Sequence, residues 1–107
     1  MNVTLEIDDQ IIALQVPDSL ITDAAEYFDK MDRDMNCGWQ MSRWWVPDPD
    51  LTQRCQIVAD KLLTAIQKND SETAMLMGAY ILRAMPSTRR ISINTDGEIQ
   101  GNEFFDV

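Results

Sequence analysis

A chain of 107 residues, 45% hydrophobic and 25% charged, fits one domain that can bury a core without metal or disulfide staples. Its net charge of −9, from 18 acidic and 9 basic side chains, speaks against binding nucleic-acid phosphates or an anionic membrane surface, since both need clustered Lys and Arg and none is present. Histidine is absent, which removes the commonest general base and the commonest zinc ligand, so no metal or cofactor is expected.

Val3, Leu5 and Ile7 alternate with polar residues, as do Ile12, Leu14 and Val16, with Asp8-Asp9-Gln10 between them. This spacing predicts a β-hairpin with one apolar face, although its turn lacks glycine. Pro17 ends the second strand because it has no N–H to give to a ladder. Asp18 or Ser19 can then cap a helix. Leu20, Ala24, Phe28, Met31 and Met35 form its apolar stripe, and Asn36 and Gly38 are its terminators.

Residues 37 to 50 have neither helical nor strand periodicity, yet Trp39, Trp44 and Trp45, all the tryptophans of the chain, lie there. Asp48-Pro49 reads as a helix start, and Leu51, Cys55, Val58, Leu62 and Ile66 make the second helical stripe. Asp70 or Ser71 caps a third helix. That helix is apolar nearly all round from Met75 to Met85, which predicts a central position or an oligomer interface, and Pro86 stops it. Ile91 and Ile93 mark a short third strand, followed by a turn at Asp96-Gly97.

The order β-β-α-α-α-β predicts an α+β fold, with a small antiparallel sheet of about three strands packed on a layer of three helices. Residues 1 to 100 are read as a single domain and 101 to 107 as a flexible acidic tail. No basic-then-apolar leader is visible and no apolar run reaches the ~18 residues of a membrane helix, so a cytoplasmic protein with no membrane partner is expected.

Trp39, Arg43, Trp44 and Trp45 are the candidate binding residues, because Trp and Arg dominate interface hot spots. The plain alternative is a loop that packs its tryptophans as core. Adjacent Trp44 and Trp45 cannot both point inward from an extended segment, so one is expected at the surface. Asp32, Asp34, Asn36 and Gly38 follow the spacing of a calcium loop, but Cys37 takes its glycine position and Arg43 its closing glutamate. Cys37 lacks an activating base, and Cys55 sits on an apolar stripe, so neither reads as a nucleophile. Carboxylates are too numerous to single out an acid–base pair, and no glycine-rich phosphate loop occurs.

Val3-Leu5-Ile7, Val16-Pro17 and Ala24-Ala25-Glu26-Tyr27-Phe28 resemble the opening of the ZapA-type cell-division proteins, without their long coiled-coil helix. Gly38-Trp39-Gln40-Met41-Ser42-Arg43 and the run from Gln53 to Leu63 resemble a group of small proteobacterial proteins of unknown function. That resemblance implies a bacterial, cytoplasmic setting and brings no activity with it.

The expected function is a non-enzymatic protein-interaction or accessory module acting on a protein partner or as a homodimer. The alternative is a small-ligand-binding protein or carboxylate-based enzyme, with a pocket at the tryptophan segment and Arg43 or Arg54 orienting an acidic ligand. An acidic mimic of nucleic acid is a third reading, which would need its carboxylates in a spaced row.

Overall fold

The computed structural model describes all residues, 1–107. Strands β1 (Asn2–Ile7) and β2 (Gln10–Gln15) form the expected hairpin, in register from Asn2↔Gln15 to Ile7↔Gln10. Its two-residue turn needs a positive φ. Asp8 supplies it at 53°, a conformation that Asp tolerates better than most residues.

The first helix is two helices, α1 (Asp18–Asp23) and α2 (Ala25–Asn36), broken at Ala24. Ala24 (φ −94°, ψ 20°) leaves the helical region with neither Gly nor Pro to cause it. Phe28, Met31 and Met35 of the predicted stripe are buried, while Leu20 and Ala24 are partly buried against the core. Helix α3 (Leu51–Gln67) opens two residues later than the Asp48-Pro49 signal suggests. Asp50 is its cap: it accepts from the Gln53 N–H at 2.8 Å, and the Gln53 side chain accepts from the Asp50 N–H at 2.9 Å. Helix α4 (Ser71–Ala84) starts at the predicted Asp70 cap.

Helix α4 takes the central one of its two expected positions, and the sheet differs from expectation. The all-round apolarity of α4 is satisfied within this chain, since Ala74, Met77 and Gly78 through Leu82 are buried among the other elements. A Cβ on Gly78 would stand 2.7 Å from Leu14 Cδ2, so glycine is what lets α4 approach β2 this closely.

The main sheet has four strands, not three, in the order β2-β1-β5-β6, and it is mixed rather than antiparallel. β5 (Arg90–Ile93) runs parallel to β1, pairing Leu5 with Ile91. A tight hairpin forces antiparallel pairing, whereas a connection through several helices can deliver a strand in either direction. Alternation in the sequence encodes the face of β5 and is silent on its direction.

The fourth strand, β6 (Glu103–Phe105), comes from the residues expected to form a flexible tail. Asn102, 2% exposed, holds it in place. Its Nδ2 donates to the Gln56 carbonyl at 3.0 Å, and its Oδ1 accepts from the Asn94 N–H at 2.7 Å. The Gln56 side chain in turn donates to the carbonyls of Gln100 and Asn102, each at 3.2 Å. One buried amide thus joins α3, β5 and the C-terminal segment. Residues 37 to 50 are not irregular either: they hold a second, two-stranded sheet. No helix is long and apolar enough to cross a membrane.

Candidate functional site

Gly38 (φ 97°) turns the chain out of α2 into β3 (Trp39–Met41), which pairs antiparallel with β4 (Trp44–Val46). Three-residue strands are too short for period-two alternation to show in the sequence. The register is Trp39↔Val46, Gln40↔Trp45 and Met41↔Trp44. Side chains of a strand alternate between faces, so Trp39, Met41 and Val46 share the core-facing side. Met41 is fully buried, and Trp39 and Val46 pack partly buried against the core. Gln40 and Trp45 take the outer side.

Trp44 and Trp45 are 66% and 59% exposed, the feature that singles out this hairpin. Trp44 pairs with Met41 at the tip yet stays exposed while Met41 is buried. Trp45 lies over Gly38 on the opposite side. Arg43 is exposed in the turn and makes no ion pair. The structure therefore leaves Arg43 and Trp44 exposed at the tip and the Trp45 indole exposed on the opposite face, over Gly38. Trp39 is set apart, with the Lys61 ammonium 4.7 Å from its ring centre.

The hairpin is anchored at both ends. Ser42 occupies the first turn position with φ 58°. Its hydroxyl donates to the Gly97 carbonyl and accepts from the Ile99 N–H, both at 2.8 Å. Sequence reading passed over Ser42 because a lone serine in a turn is ordinary. At the other end the Arg54 guanidinium is a clamp. It donates to the Pro49 carbonyl at 2.9 Å, the Asp32 carbonyl at 3.1 Å, Asp32 Oδ1 at 3.4 Å and Asn36 Oδ1 at 2.6 Å. Two exposed indoles on an anchored platform lose little conformational freedom when they meet a partner.

The surroundings of the hairpin are acidic. Asp48 and Asp50 follow β4, and Asp96 and Glu98 flank the Gly97 and Ile99 contacts of its tip; all four are exposed. Neither Asp96 nor Glu98 is in an ion pair, and Asp48 reaches Arg54 only at 3.9 Å.

Arg54, named with Arg43 as a ligand-orienting candidate, instead lines a cleft of about 400 Å³ with Asp32, Leu51, Tyr80, Arg83 and Ala84. No tryptophan borders it. Tyr80 donates its phenol proton to Asp32 Oδ1, and the Arg54 donors are already committed to four acceptors. Burial first, and then the bond to Asp32, raise the Tyr80 phenol above its ordinary range. These groups brace α2 against α3 and α4. Asp32, Asp34 and Asn36 are helical and form no loop.

Both cysteines are free thiols. Cys37 is exposed at the end of α2, and Cys55 is buried, its thiol pushed up to about 12 by burial and the nearby Asp32. A thiol so disfavoured as thiolate is packing, not a nucleophile.

Compared with known proteins, the chain matches no family model, no curated protein and no solved structure.

Proposed function

We propose that this protein is a small non-enzymatic interaction module whose contact surface is the β3–β4 hairpin, with Arg43, Trp44 and Trp45 as its exposed residues. The observation that carries the reading is the exposure of two adjacent large indoles, 66% and 59%, on an anchored hairpin. Leaving such apolar area in water forgoes roughly 2 kcal/mol per side chain that burial would recover. Trp and Arg are also the residues most enriched at interface hot spots.

The test is native mass spectrometry of the protein isolated gently from its source, beside Trp44→Ala and Trp45→Ala variants of unchanged circular dichroism. A bound polypeptide seen with the parent chain and lost with both variants supports the reading. A polypeptide retained by both variants places the interface elsewhere.

A small-ligand reading rests on one observation, the cleft between Asp32, Tyr80 and Arg83. It is the weaker reading because Arg54 and Tyr80 already satisfy each other's neighbours. A monomer carrying a small mass increment would favour it.

A further inference from the structure

We infer that the segment seated on the β3–β4 hairpin is basic and apolar, a stretch in which Lys or Arg is interspersed with apolar side chains, and that it belongs to a different protein. The inference rests on the hairpin being the contact surface and adds the chemistry of what it contacts. Three observations point the same way.

The first is the pairing of exposed indoles with carboxylates that have no cation of their own. Trp44 and Trp45 offer aromatic faces, and Asp96 and Glu98 stand beside the tip that Ser42 fastens to their loop. A lysine or arginine crossing an indole gains from the ring's electron-rich face, and the exposed carboxylates of the loop fastened to the tip favour the same charge. An acidic partner would meet those same carboxylates at close range, which is costly.

The second is the chain's own use of this pairing. Lys61 lies over Trp39 at 4.7 Å, and the Arg90 guanidinium lies 4.1 Å from the centre of the Phe105 ring while binding Glu6 at 2.6 Å. Cation, ring and carboxylate are thus combined at Arg90, and again at Arg83, which lies 5.5 Å from the Phe28 ring centre and 3.4 Å from Asp29 Oδ1, while Lys61 and Trp39 form the cation–ring part alone. At the hairpin the rings and carboxylates are exposed, and Arg43, the one cation there, is in no ion pair with those carboxylates.

The third is net charge. A second copy of this chain would bring another −9 to the contact, with Asp48, Asp50, Asp96 and Glu98 again around its indoles. Screening at physiological salt acts over about 8 Å, too long to hide carboxylates packed within one interface. Arg43 is a single cation against these four and does not reverse the balance. Self-association at this face is therefore disfavoured, and a cationic segment is drawn to it.

The probe is a labelled octapeptide of alternating lysine and leucine, compared by fluorescence anisotropy with glutamate–leucine and serine–leucine analogues at low and high salt. Expected are binding of the lysine peptide about tenfold or more tighter than that of the serine peptide, and weaker binding at high salt. Trp44→Ala and Trp45→Ala should each weaken it about tenfold. The pair Asp96→Asn with Glu98→Gln should weaken it about threefold and flatten its salt dependence.

Lysine-peptide binding that is indifferent to both tryptophan variants would overturn the proposal, since net charge alone would then explain it. Tryptophan-dependent binding that is strongest for the serine peptide would also overturn it, while leaving the hairpin as the contact surface. Absence of binding by all three peptides overturns the basic-segment assignment. A low-salt dimer in sedimentation that Trp44→Ala dissolves would replace the foreign partner with a second copy.

Discussion

The indole of Trp45 occupies the space that a side chain at position 38 would fill: a Cβ on Gly38 would come within 2.4 Å of Trp45 Cζ2 and 3.1 Å of the Val46 carbonyl. Gly38 also sits at φ 97°, where an L side chain is strained. Gly38→Ala should therefore lift the indole and destabilise the fold by about 1–3 kcal/mol. The expected readings are a lower urea midpoint and a shifted tryptophan emission. Unchanged values for both would show that Trp45 is not seated on this glycine.

Ser42 joins the hairpin tip to the loop before β6 through both capacities of one hydroxyl. Ser42→Ala removes the two bonds while keeping a positive φ that alanine tolerates poorly. A loss of about 1–2 kcal/mol is expected, with faster hydrogen exchange at the Ile99 amide. Ser42→Gly should cost less, because it relieves the backbone while losing the same bonds. Equal exchange at Ile99 in parent and variants would refute the tether.

Asn102 is the more demanding test of the fold. Asn102→Ala leaves the Asn94 N–H and the Gln56 carbonyl without their partner in a region closed to water. A penalty of about 2–3 kcal/mol is expected, with exchange protection lost first at the amides of β6. Loss spread evenly over the whole sheet would mean that β6 is not held by this residue.

Alkaline pH should weaken the protein from near pH 9 upward. Cys55 is raised from 9.0 to about 12, chiefly by burial, and Tyr80 is raised for the same leading reason. A folded-state value above the unfolded one means that the folded state holds its proton longer. The associated stability is then complete below the unfolded value and is lost as pH climbs toward the folded value. The urea midpoint should fall through this window, and Cys55→Ala should reduce the slope. Thiol labelling at neutral pH gives a companion reading: Cys37 reacts at once, and Cys55 only as the chain unfolds. Two fast thiols would contradict the burial of Cys55.

Much of the architecture was legible where a periodic stripe was long. The β1–β2 alternation, the stripes of α3 and α4 and the Asp70 cap all lie where the sequence puts them. What escaped was short or non-local. β3 and β4 carry three residues each, less than the pattern needs to declare itself. The run around Asn102 is polar and acidic, and it reads as solvated until Gln56 and Asn94 are seen beside it. The break at Ala24 has no sequence mark at all. Of the candidate site, adjacency alone predicted that Trp44 or Trp45 would be exposed; both are. The commitment of Arg54 to Asp32, Asn36 and Pro49 depends on contacts across the fold that no local reading supplies.

The placement of β1 between β2 and β5 sets an order of events. Glu6 and Arg90 meet across the sheet although 84 positions separate them, so one edge of β1 stays unpaired while most of the chain leaves the ribosome. The hairpin and the helices can assemble during that interval, but the sheet cannot close until β5 arrives. A nascent chain therefore presents Leu5 and Ile7 on an open edge, a transient template for unwanted pairing. The interval between the synthesis of β1 and of β5 is therefore when this chain is most exposed to mispairing.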